Sequence, residues 1–120
     1  MFRYFRWTAL LVGLLCGLAV PAWAHAIIVK AQPASGASMT GPDVDIVFTF
    51  NVRVDAVRSK LTLTHPDGTT SEIALSPDPS PAVLAGRVTG LTPGNYSIRW
   101  QVLATDGHIT RGDIPFVVAP

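Results

Sequence analysis

Residues 43–50 read DVDIVFTF, and their alternation decides the fold class. Val44, Ile46, Phe48 and Phe50 fall on one face of an extended chain, with Asp43, Asp45 and Thr49 among the residues on the other. Successive side chains of a strand leave on opposite sides, so the stretch predicts a half-buried strand. The same period continues outward. In LTLTHPDGTTSEIAL, residues 61–75, Leu61 and Leu63 share a face, Pro66-Asp67-Gly68 supplies turn chemistry, and Ile73 and Leu75 resume the alternation. That pattern predicts two short strands around a turn. YSIRWQV, residues 96–102, aligns Tyr96, Ile98, Trp100 and Val102, and IPFVV, residues 114–118, aligns Ile114, Phe116 and Val118. Pro115 has no N–H to give to a ladder, so this last strand belongs at an edge or carries a bulge.

About seven such strands, separated by Gly, Pro, Asp and Ser clusters and with no convincing amphipathic helix, predict an all-β fold, a small antiparallel β-sandwich. LTPGNY, residues 91–96, strengthens this: a tyrosine just after a Pro-Gly turn at the start of a strand resembles the tyrosine corner of Greek-key sandwiches. The proline-rich SPDPSPAVLAG, residues 76–86, reads as a loop leading into a strand, and no internal repeat is visible.

The first 24 residues have a different character. Arg3 and Arg6 form a positive start, residues 9–20 an apolar run, and Pro21 leads into the small-x-small triplet Ala22-Trp23-Ala24. That order is a secretory signal peptide, residues 1–24, with cleavage after Ala24. The apolar run falls short of the roughly 20 residues a membrane span needs, which ranks an uncleaved anchor lower. A lipoprotein site at Cys16 is disfavoured by the bulky Leu15 before it.

Cleavage leaves residues 25–120, enough chain for one domain with a modest core. It removes Cys16, the only cysteine, so the exported domain has neither a disulfide nor a thiolate metal ligand. Seven Lys and Arg against eight Asp and Glu give it a formal charge of −1, and no basic-aromatic interleaving points to nucleic acid.

The cut would also make His25 the first residue of PAWAHAIIV, residues 21–29, to follow the signal. A free amine and a ring nitrogen of one residue can chelate a metal without ordering a second side chain. Late in the chain ATDGH, residues 104–108, places Asp106 and His108 either side of Gly107. On an extended segment these two side chains leave on the same side, and glycine permits a tight or positive-φ backbone that lets them converge. If the first residue packs beside this loop, an amine, two imidazoles and a carboxylate gather at one point, a donor set that favours Cu(II). The plainer reading of Asp-Gly-His alone is a turn with an exposed histidine. His65, before Pro66, reads as a solvated turn residue, Met39 as loop packing, and Trp100 as core.

These residues resemble the CopC family of periplasmic copper-resistance and copper-binding proteins. The resemblance runs from HAIIVKAQPASGASM (25–39) through VDIVFTF (44–50) and LTPGNYSIRWQV (91–102) to ATDGHITRGDIPFVV (104–118). It implies a cupredoxin-like Greek-key sandwich that binds one Cu(II) through the amine and imidazole of His25, the carboxylate of Asp106 and the imidazole of His108. It also implies a periplasmic role in copper delivery or sequestration beside an inner-membrane copper transporter of the CopD kind. Two departures stand out. Many members carry a methionine-rich segment for Cu(I), whereas this chain has only Met39 after the signal, so no Cu(I) site is expected. Many also have a glutamate where FTFNVRV, residues 48–54, has Asn51, which brings a hydrogen-bonding group but no charge. Two other readings share these residues: a histidine-brace copper monooxygenase, and a metal-free immunoglobulin-like interaction module in which His25 and His108 are dispensable.

Overall fold

The computed structural model describes residues 25–77 and 80–120; the expected signal peptide and Cys16 lie outside the described residues. Nine strands follow one another: β1 (Ile28–Gln32), β2 (Ala37–Thr40), β3 (Val44–Phe50), β4 (Val54–Thr64), β5 (Thr70–Ile73), β6 (Leu75–Ser76), β7 (Val83–Val88), β8 (Gly94–Ala104) and β9 (Ile109–Ala119). They form a four-stranded sheet in the order β1-β3-β7-β6 and a five-stranded sheet in the order β2-β9-β8-β4-β5.

The predicted faces are the buried ones. Val44, Ile46, Phe48 and Phe50 of the first sheet and Tyr96, Ile98, Trp100 and Val102 of the second enter one core, and Phe50 meets Trp100 edge-on at 5.4 Å between ring centres. A tyrosine corner is present: the Tyr96 hydroxyl donates to Thr92 O at 2.7 Å and accepts from Thr92 N–H at 3.2 Å, and its ring stacks on Phe116.

Four details depart from the sequence reading. Among the described residues there are nine strands and not about seven, because β2 and β6 have four and two residues, too few to show a period. Every pairing is antiparallel except β2 with β9, which run parallel, so the second sheet is mixed. Ile73 and Leu75 do not share a strand: Ile73 ends β5 in one sheet and Leu75 begins β6 in the other. The chain changes sheets at Ala74, passing so close to Gly86 that a side chain there would meet Ala74 O and Ile73 Cγ2 at 3.0 Å. Met39 lies in strand β2, packed against the core, and not in a loop. Pro115 meets its expectation: β2 pairs only with residues 116–119 of β9, so Pro115 ends the stretch of β9 that forms the sheet edge.

Candidate metal centre

One end of the sandwich collects three segments: the residues before β1, the link at 51–53 between β3 and β4, and the link at 105–108 between β8 and β9. Backbone bonds tie them, from Asn51 N–H to Ile27 O at 3.0 Å and from Thr105 N–H to Arg53 O at 3.3 Å. Ala26, 1% exposed, plugs the N-terminal segment into the core. Asn51 holds it from the side, its Oδ1 accepting the Ile27 N–H at 2.8 Å. The two bonds between Asn51 and Ile27 leave His25, two residues earlier, exposed at the rim.

The Asp-Gly-His segment is a turn and not an extended strand. Ala104 O accepts the Gly107 N–H and Ala104 N–H donates to His108 O, both at 2.9 Å. Gly107 has φ of 89°, and a Cβ there would meet nothing within 4 Å, so glycine serves the backbone angle and not a close approach. Convergence of Asp106 and His108 follows from this turn. Asp106 Oδ1 accepts the His108 N–H at 3.0 Å, while Oδ2 lies 3.1 Å from the buried His108 Nδ1. The His108 N–H holds the Asp106 carboxyl below its ordinary range, helped by the His108 ring and by the charges of His108 and His25.

His25 approaches His108 from the far end of the described chain. Its ring lies 6.0 Å from that of His108, centre to centre, at 62°. The structure therefore brings together His25 with His108, and His108 with Asp106. It does not bring all three to one point: among the described residues no three His, Cys, Asp or Glu side chains are placed to hold a metal ion together. In the full chain the backbone nitrogen of His25 is an amide joined to Ala24 and offers no lone pair.

His65 lies at the opposite end, where β4 turns into β5. It is half-buried and not simply a solvated turn residue: Nε2 is 3.0 Å from Ser71 Oγ and the ring stands edge-on to Tyr96. The feature that sequence reasoning missed is the pairing of Asn51 with Ile27. Nothing local announces it, because the partners are 24 residues apart.

The CopC domain model matches residues 28–119, which takes in the Asp-Gly-His turn and begins just after His25. Copper resistance protein C of Escherichia coli is 28% identical over 115 residues, covering 88% of this chain and 90% of that protein. Copper transport protein CutJ of Bacillus subtilis (strain 168) is 24% identical over 116 residues, which cover 94% of this chain and only 21% of that protein. Among solved structures, CopC from Methylosinus trichosporium OB3b superposes with a TM-score of 0.74 at 24% identity, covering 80% of this chain and 95% of that one, a likeness of fold. With the family model spanning the sandwich from its first strand to its last, this chain belongs to the CopC family.

Proposed function

We propose that this chain is exported to the periplasm and carries copper as Cu(II), one ion per chain, in copper resistance or supply. The observation that carries the reading is the meeting of His25 with His108: a residue just behind an A-x-A signal site and a loop near the other terminus stand 6.0 Å apart. Cleavage after Ala24 turns the His25 backbone nitrogen into an amine. Amine and imidazole of His25, imidazole of His108 and carboxylate of Asp106 then make a nitrogen-rich donor set of the kind Cu(II) favours.

The chemistry suits holding over turnover. A carboxylate stabilises the doubly charged ion relative to Cu(I), and the one methionine after the signal, Met39, packs against the core and offers no thioether at this end. The role is a carrier and not an oxidase, with no Cu(I) site. Copper transport protein CutJ supports a transport role, since a region similar to 94% of this chain makes up 21% of that protein. The corresponding partner for this chain is a CopD-like copper transporter of the inner membrane. Because the amine arises only on export, the cytoplasmic precursor lacks the complete site.

A competitive Cu(II) titration tests this on protein beginning at His25 and on a control with one extra residue before it. The expected result is one copper per chain, held far more tightly by the authentic terminus. Equal binding by the two forms would remove the amine from the ligand set, and no binding by either would favour the metal-free interaction module.

A further inference from the structure

The formal charge of residues 25–120 is close to zero, but it is not evenly spread. Strand register sorts the charged residues by their distance from the candidate metal centre. Arg53 and Asp106 belong to the linking loops themselves, and Asp55 and Arg58 lie at the start of β4. Lys30 pairs with Thr49 near the end of β3, and Lys60 and Arg111 flank Gln101, three residues before Ala104 ends β8. At a rise of about 3.3 Å per residue, that row is about 10 Å from the end of the strand. Five cations thus face two carboxylates in this half. The other half holds Asp43, Asp45, Asp67, Glu72 and Asp113 against Arg87 and Arg99. Asp78 lies outside the described residues, and counting it with the metal end still leaves an excess of two cations.

Pairing sharpens the contrast. Arg87 is tied to Asp43 and Asp45, and Arg99 to Asp113, so the cations of the far half are spent on their own carboxylates. Among the described residues, Arg58 at the metal end has an acidic partner, Asp55 at 3.8 Å, while Lys30, Arg53, Lys60 and Arg111 make no ion pair. All five cations are exposed. Such a surface repels a hydrated divalent cation and attracts an anion, over the roughly 8–10 Å that salt at ordinary strength allows. Cu(II) binds nitrogen and oxygen donors more tightly than its neighbouring divalent ions do, and so travels as chelates.

We propose that this end of the domain takes its copper from small, negatively charged, carboxylate-rich Cu(II) complexes, with Lys30, Arg53, Arg58, Lys60 and Arg111 steering the complex in. The inference rests on the copper-carrier reading and adds the substrate class. The exchange is redox-neutral. Bonds from copper to the chelator's carboxylate oxygens and amine break, bonds to His25, Asp106 and His108 form, and the His25 ammonium proton passes to the departing chelator or to buffer. Copper stays Cu(II) throughout, and the released chelator leaves as a more negative anion.

The test is stopped-flow copper uptake by the protein recovered from the periplasm, its first residue established by mass spectrometry. Two donors are compared at several salt concentrations: the singly negative nitrilotriacetate complex of Cu(II) and its neutral bis-glycinate complex. Uptake from the anionic complex is expected to slow at least ~3-fold from low to high salt, with the neutral complex nearly unaffected. The variant Arg53→Glu/Arg58→Glu, whose side chains make no bond to the metal residues, is expected to slow uptake from the anion by a similar factor while leaving uptake from the neutral complex and the melting temperature close to wild type. Equal salt responses for the two donors in the wild-type protein would overturn the inference while leaving the carrier reading intact. Failure to take copper from either donor would overturn the carrier reading, and the inference with it.

Discussion

At the scale of single residues, Asn51 and Asp106 do different work for the two histidines. Asn51 fixes Ile27, two residues beyond His25, through one side-chain and one backbone bond. Replacing it with alanine removes the 2.8 Å acceptor and leaves the Ile27 N–H to water, at a cost of about 0.5–1.5 kcal/mol. Asn51→Ala is therefore expected to lower the melting temperature by a few degrees. It should also weaken Cu(II) binding about tenfold, within the range for groups that orient ligands from outside. Titration of copper together with a thermal melt checks both, and an unchanged affinity in a destabilised variant would confine Asn51 to structure. Asp106 gives a pH signature. Its carboxyl titrates below 3.8 in the folded state, chiefly because the His108 N–H stabilises the charged form. A depressed folded value means that its contribution to stability is complete above the unfolded value and is lost as pH falls through the folded one. A carbon NMR titration should find the Asp106 midpoint below the ordinary carboxylate range, and His108→Ala, which keeps the N–H, should move it up only by the share owed to the ring. Copper release should accompany acidification, because the metal binds only deprotonated ligands and protons compete for them.

Among the elements, legibility followed unbroken alternation, which β4 loses at its bulge between Asp55 and Lys60. β3 and β8, with seven and eleven residues, carry several full periods, so which face they bury was plain from Val44, Ile46, Tyr96 and Trp100 alone. β2 and β6 contain one or two periods at most, and β2 runs parallel to β9 through contacts made far along the chain, which no local pattern encodes. Ile73 and Leu75 look like neighbours on one face because alternation is blind to a change of sheet. Glycines mark what the pattern omits. Gly86 lets the crossing at Ala74 pass, and Gly112, opposite Trp100 in the register of β8 and β9, lets the indole lie flat over the strand. A Cβ at Gly112 would come within 2.5 Å of Trp100 Cζ2. Gly112→Ala must push the indole or the strand aside, an overpacking of about 1–3 kcal/mol. At about 4–8 °C for each kcal/mol in a domain of this size, the melt should fall by several degrees at least. A melt within 2 °C of wild type, a margin well under ~1 kcal/mol, would show that Trp100 has room to move.

For the whole molecule, the candidate site was legible as residue types and illegible as geometry. His25 drew notice through the signal pattern before it, and Asp106 and His108 through their spacing around Gly107, but nothing in either stretch says that they meet. Their meeting depends on β1 lying at the edge beside β3, and on β8 and β9 turning over at the same end. A metal held there would join the two sheets, since His25 leads into β1 of one sheet and His108 into β9 of the other. Separating the sheets would then require breaking metal bonds, so copper should stabilise the fold and not merely decorate it. Binding to the native state alone adds RT ln(1 + [L]/Kd), about 2.7 kcal/mol when free copper is 100-fold above Kd, or about 10–20 °C in a domain of this length. Scanning calorimetry of protein starting at His25 should show that rise. The same chain with Ala24 retained should show much less, because its His25 nitrogen is an amide, and His25→Ala, which keeps an amine but no imidazole, should fall between the two or lower. If all three forms rise equally, the stabilising metal sits elsewhere and the N-terminal histidine is not part of what holds the sheets together.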